Sequence, residues 1–264
     1  MNRLTSSRNL ISSSRRQQDP SREASLLTSL CQKDGYPIHG LGPPSLKLPR
    51  EFLPPYGHFV PESIYLPTIS TRSPFPLNRF IRAQNPRELL ICTEGTSFHN
   101  DEQPNTPNAG CAFMVNETGG WYRFPLEENN PKGKKNTRTA RCASIRAAIA
   151  AIQCRNWAAE GFQRLIIATS DVSVVDGITS LMRGWIRDGW CYRYTDVPVE
   201  DEDLWWCLMY TIHAAEKKGC TVYFWATNGC WNKMAMKHAG VASEMIVKKA
   251  YEKISLPSLR FAPR

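Results

Sequence analysis

From Glu88 onward the chain alternates short apolar runs with polar, glycine-containing breaks. "ELLICT" has the length of a buried strand, and "CAFMVN" and "WYRFPL" flank "ETGG" at the spacing of a β-hairpin. In "ARCASIRAAIAAIQCRNWAAEGF" the residues Ile145, Ala148, Ile149 and Ile152 recur at helical spacing, which predicts a helix closed by Gly161. "RLIIAT" predicts a strand, and "VSVVDGITSLMRGWIRDGW" a helix closed by Gly189. "VEDEDLWWCLMYTIHAAEKKG" opens with acids and closes on Lys-Lys-Gly, the charge order a helix dipole favours. "CTVYFWAT" is the fifth predicted strand. In "WNKMAMKHAGVASEMIVKKAYEKI" a helical face collects Trp231, Ala235, Ala239, Ala242, Ile246 and Ala250. Three strands, a helix, a strand, helices, a strand and a helix predict an α/β fold, a five-stranded mixed sheet with helices on both faces.

The first 85 residues read differently. Twelve of the 19 prolines fall within the first 86 residues, among serine-rich stretches with no sustained period. Such a segment buries too little apolar surface to offset its ordering entropy, so residues 1–85 are expected to be mostly disordered. Its apolar clusters "EFLPPYGHFV" and "SIYLPTI" are candidates for docking on the folded part or on a protein partner. The expected organisation is 1–85, a folded domain over 86–255, and a tail over 256–264. "MNRLTSSRNLISSSRR" carries four arginines and no acid, the composition of a mitochondrial transit peptide or of an ordinary basic tail. The expected compartment is intracellular: nucleus or cytoplasm, with the mitochondrion as the alternative.

Charge changes the picture less than its total suggests. The net +9 invites a nucleic-acid reading, but residues 1–90 hold 12 Lys/Arg against 6 Asp/Glu, and 91–264 hold 21 against 18. No run reaches the apolar length of a membrane span, so no membrane partner is expected. The nine cysteines form no C-x-x-C pair and no zinc-ligand spacing, and read as reduced thiols.

Candidate chemistry centres on "RLIIATSDVSVVDGI", where a buried run ends at Asp171. An acid at a strand end can hold a metal ion, and an Asp before a helix can cap it. With this segment in place, the word order resembles the type 1 ribonuclease H family, especially its filamentous-fungal members. "PRELLICTEGT" is similar to a first strand ending Thr-Asp-Gly-Ser, and "TARCASIRAAIAAI" to a helix opening Asn-Arg-Ala-Glu-Leu-Arg-Ala-Val. "IATSDVSVVDGITSLMRGWIRDGW" resembles Ala-Thr-Asp-Ser-x-Tyr-Val-Val-x-Gly, and "DEDLW" resembles Asn-x-Asp-Leu-Trp. "VYFWATNGCWNKMAMKHA" is similar to Val-x-Phe-Trp-x-x-Pro-Arg-Glu-Trp-Asn-x-x-Ala-Asp-x-Leu-Ala, and the match spans about 86–250.

The resemblance implies a ribonuclease H-like fold and cleavage of the RNA strand of RNA–DNA hybrids. Four carboxylates would hold two Mg²⁺ ions. Carried over residue by residue, the first acid is Glu94, one methylene longer than the family's Asp. The second falls on Ser144, the third on Ser170 and the fourth on Met236, so three positions carry no charge. Anchoring on Val174, Val175, Gly177, Ile178 and Trp185 leaves Asp171 one residue beyond the third position, where strand alternation aims it away. Glu94 and Asp171 are the remnant catalytic and metal-ligand candidates.

On the binding side, Asn100 matches the family's Asn beyond the first strand. Lys132, Lys134, Lys135, Arg138 and Arg141 form a basic loop, and Arg183 and Arg187 lie on the helix that serves the family as a handle. Trp185, Trp190, Trp205 and Trp206 match structural positions. The reading is a monomeric ribonuclease H-like domain with impaired catalysis, weak hybrid or duplex binding or a scaffold role, and no cofactor. The alternative is an active Mg²⁺-dependent hybrid endoribonuclease working through Glu94 and Asp171.

Overall fold

The structure, a computed structural model, describes residues 47–55, 60–69, 78–100, 103–118 and 120–256. The basic opening of the chain and the 257–264 tail lie outside them. The elements are β1 (Arg50–Glu51), α1 (Pro61–Ile64), β2 (Tyr65–Ile69), β3 (Asn78–Arg82), β4 (Asn85–Asn100), β5 (Gln103–Met114) and β6 (Trp121–Pro125). Then come α2 (Ala140–Gln153), β7 (Arg164–Thr169), α3 (Val172–Asp176), a π turn (Gly177–Leu181), α4 (Met182–Arg187), α5 (Glu202–Lys217), β8 (Thr221–Ala226) and α6 (Lys233–Ser243).

The five expected strands are present as one mixed sheet. β4 is central: β5 and β6 follow antiparallel on one side, and β7 and β8 parallel on the other. The parallel half is buried on both faces, which is why "LLIC" and "LIIA" read as continuous apolar runs. One face packs Leu89, Ile91, Leu165, Ile167, Val222 and Phe224 against α2, the α3–α4 segment and α5. The other packs Leu90, Cys92, Ile166, Ala168 and Trp225 against a different set of elements.

That second face departs from the expectation of disorder over the described part of residues 47–85. Among the described residues three further strands join the five, and the sheet has eight. β1 adds parallel to β8, Arg50 opposite Tyr223, and the β2–β3 hairpin pairs with the first part of β4 through Ile81 and Leu89. Phe52, Ile64, Tyr65 and Phe80 from this segment, with Ala235 of α6, cover the face. Strands of two and five residues interrupted by prolines carry no periodic signal, and they are ordered by the sheet they join. Beneath them Glu88, fully buried, accepts from Tyr65 Oη (2.6 Å) and Arg82 Nη1 (2.9 Å) and pairs with Arg164 (3.0 Å).

Two helices are shorter than predicted. α2 stops at Gln153 rather than at Gly161, because the indole N–H of Trp157 turns back to the Ala151 carbonyl (3.0 Å) and Leu256 N–H takes that of Cys154 (3.1 Å). α6 stops at Ser243; Ala235, Ala239 and Ala242 are buried as expected, but Ile246 is 95% exposed. The chain beyond runs back along the loop after β6, where Glu128 and Asn129 N–H groups bond the Lys248 and Lys249 carbonyls. Arg146 anchors it: fully buried, it forks onto Glu127 (2.6 and 3.0 Å) and donates to the Glu252 carbonyl (2.6 Å).

The four tryptophans are core. Trp185 packs on Trp190 and Trp205, and Trp190 on Trp206, with ring centroids 5.2–6.2 Å apart. The eight cysteines among the described residues are unpaired thiols, and among those residues no helix is long and apolar enough to cross a membrane.

Candidate functional site

The register of the parallel strands builds the site. Cys92 of β4 lies opposite Ala168 of β7, so two residues on, on the same face, Glu94 comes beside Ser170. Ser170 donates twice to the carboxylate, its N–H to Oε1 (2.7 Å) and its Oγ–H to Oε2 (2.9 Å). A third donor is the amide of Asn232, which caps α6 and gives Nδ2–H to Glu94 Oε1 (2.7 Å) and to the Ala168 carbonyl (3.2 Å). The longer Glu94 side chain thus links β4 to the next strand and to the start of the helix that covers this face of the sheet. All three donors are neutral.

Burial pushes the Glu94 carboxyl above the ordinary carboxylate range; the hydrogen bonds from Asn232 and Ser170 oppose that, and the Asp171 charge adds to it. A carboxylate held this way has both oxygens engaged and is itself buried.

The other positions are placed as follows. Asp171 caps α3, its Oδ1 accepting from Ser173 N–H (3.1 Å) and Ser173 Oγ–H (2.6 Å). Strand alternation therefore holds: Ser170, not Asp171, faces Glu94. Ser144 lies in the first turns of α2, buried, with its hydroxyl unpartnered. Here β4 approaches so closely that a Cβ on Gly95 would stand 2.1 Å from the Ser144 nitrogen, so only glycine fits. Met236 is 40% exposed on α6, and its sulfur and the Ser170 Cβ flank Gly229.

These residues do not fit a two-Mg²⁺ centre. Mg²⁺ requires several free oxygen ligands in octahedral array. The fold offers one carboxylate already saturated by neutral donors, one acting as a helix cap, two hydroxyls and a thioether. Among the described residues, no three His, Cys, Asp or Glu side chains form a metal-sized group. In this structure Glu94 accepts from Ser170 and Asn232, and Asp171 accepts from Ser173.

The basic loop is tied down more than its sequence suggests. Lys132 pairs with the buried carboxylate of Asp203, which also accepts from Asn130 Nδ2 (3.0 Å). Arg141 pairs with Glu200 (2.6 Å), and Arg187 with Asp188 (2.9 Å). Lys135 and Arg183 are exposed, and Lys134 keeps 74% of its side chain in solvent at 3.8 Å from Asp203. Arg138 takes a left-handed backbone (φ 55°) and gives its carbonyl to Ser97 Oγ–H (2.7 Å). Asn100 ends β4, and its side chain lies outside the described residues. Asn232 is the residue that sequence reasoning did not place in the site. Its signal in the sequence is the Trp-Asn pair of Trp231 and Asn232, which matches the Trp-Asn of the family's last motif.

No family model matches the chain. Among solved structures, the foamy viral protease–reverse transcriptase in complex with an RNA/DNA hybrid aligns with 60% of this chain (TM-score 0.44, 15% identity), a region that is 20% of the viral chain. RNase H1 of Halobacterium salinarum aligns with 59% of this chain and 96% of its own (TM-score 0.37, 15% identity). A bacterial sequence is nearer: ribonuclease H of Dinoroseobacter shibae is 35% identical over 118 residues, 45% of this chain and 68% of the relative. On that identity and coverage, this chain belongs to the ribonuclease H family.

Proposed function

We propose that this protein is a ribonuclease H-fold protein that does not hydrolyse RNA–DNA hybrids and binds nucleic-acid duplexes weakly through its basic loop. The observation that carries the first half is the state of Glu94: the one acid at a family ligand position is buried and accepts three hydrogen bonds from neutral donors. Hybrid cleavage by two metal ions needs carboxylates free to coordinate. Ser144, Ser170 and Met236 supply none.

The binding half is supported by Lys134, Lys135 and Arg138 beside the N-terminus of α2, and its weakness by the pairing of Lys132, Arg141 and Arg187 with acids. Each phosphate contact contributes about 0.9 to the salt slope, so this triad accounts for a slope of roughly 2 to 3. The test is the full chain with a labelled hybrid, read for both cleavage and binding. The expected result is no product with Mg²⁺ or Mn²⁺, and low-salt binding that the triple change Lys134→Ala, Lys135→Ala, Arg138→Ala weakens and makes less salt-dependent. Mg²⁺-dependent cleavage lost in Asp171→Asn would instead establish the active reading.

A further inference from the structure

Beside the Glu94 node, on the same face of the sheet, a pocket opens between the N-terminal segment and the start of α6. Its space, open mouth included, is about 370 Å³. Tyr65, Phe80 and Trp231 give it three aromatic walls, and the sheet contributes Cys92 and Met114. Two carboxylates complete the lining, Glu62 from α1 and Glu117 from the β5–β6 turn, both exposed. Among the described residues neither is held in an ion pair. The charges bearing on Cys92 are those of Glu94, Glu62 and Glu117, with no cation among them; burial first, and then these three, push its thiol up to about 12. The pocket is therefore an apolar, aromatic cleft with two exposed carboxylates in its lining. In its lining Trp231 and Met234 are each 41% exposed, an adaptable apolar rim.

We propose that this pocket receives a lysine or arginine side chain presented by an apolar segment of a protein partner. The aliphatic stem lies along the aromatic walls and the cation meets both their π faces and the two carboxylates. The rim of Trp231 and Met234 takes the flanking apolar residues, area that a small free amine leaves uncovered. The two carboxylates disfavour phosphate, so this face is distinct from the basic loop proposed above for duplexes.

The test is a titration of the isotopically labelled full chain, followed by NMR, with the peptide Ser-Leu-Lys-Leu-Ser. Its acetyl-lysine form, n-butylammonium chloride and an RNA–DNA hybrid oligonucleotide serve as comparisons. The lysine peptide is expected to perturb the Trp231 indole and Met234 methyl resonances and to bind about tenfold more tightly than the acetylated form, which lacks the cation and carries an added acetyl group. Changing Glu62→Gln and Glu117→Gln together, in exposed positions that leave the spectrum folded, should remove that preference. Equal binding of the two peptides, or no perturbation at the pocket, overturns the proposal. So does butylammonium binding as tightly as the peptide, which would make the site one for small amines. A hybrid that binds at these same resonances overturns it as well.

Discussion

Replacing Glu94 by alanine removes the shared acceptor of three donors, the Ser170 N–H, the Ser170 hydroxyl and the Asn232 amide, which keeps only its longer bond to the Ala168 carbonyl. Asn232 is buried, and a buried donor left without a partner costs about 1–3 kcal/mol. Three such losses are partly offset by relief from burying a charge, and Ser170 is only half-buried. The net expected destabilisation is therefore about 3–4 kcal/mol. Glutamine is the informative comparison. Its Oε1 still accepts from Ser170 N–H and Asn232, while its amide donates to the Ser170 hydroxyl, so Glu94→Gln should cost less than about 1 kcal/mol. Urea unfolding of the three proteins, with and without Mg²⁺, measures both effects. A carboxylate that binds metal behaves otherwise: at a hundredfold excess over Kd, Mg²⁺ would stabilise the native chain by about 2.7 kcal/mol, and glutamine would abolish that gain. Mg²⁺-dependent stabilisation of the native chain, or an alanine variant as stable as the native one, would refute the reasoning.

The raised Glu94 carboxyl gives a pH signature. A carboxyl higher in the folded than in the unfolded chain favours folding while both states are protonated; that advantage is lost as pH rises from the ordinary value of 4.5 through the folded one. Glu94→Gln should therefore gain stability relative to the native chain as pH rises from about 4 toward neutrality. Urea midpoints that stay parallel across that range would contradict it. A chain started at Pro86 should fold far less stably than one started at Lys47, because it loses Tyr65 and Arg82 from the buried Glu88 and exposes Trp225 and Ile166. Equal urea midpoints for the two chains would show that the N-terminal strands contribute nothing.

The parts of this fold legible in the sequence were those whose stability is written locally. "RLIIAT" and "CTVYFWAT" are strands because a strand buried on both faces must be apolar throughout, and the Asp171 cap followed from an acid standing just before a helix. β1, β2 and β3 were illegible because two to five residues around prolines form a strand only when a sheet edge waits for them. The end of α2 was lost for a similar reason: Trp157 reaches back to Ala151 through a tertiary turn that no helical period records. At the site, the empty positions at Ser144, Ser170 and Met236 could be read off the motifs. That Glu94 is occupied by Ser170 and Asn232 depends on register between strands and on a contact 138 residues away in sequence.

β1 is two residues long, yet it decides what the molecule presents to its neighbours. It pairs along the outer side of β8, whose sequence "TVYFWA" is apolar and β-prone. Without it, that strand would show an unpaired row of backbone donors and acceptors, which is the template from which chains stack on one another. A clip between β1 and the hairpin that released β1 would leave the fold's other strands in place and open the β8 edge to pairing with another chain. The few residues around Arg50 thus act as a guard on solubility, and damage to them would be felt first as lost protein in a crowded cell.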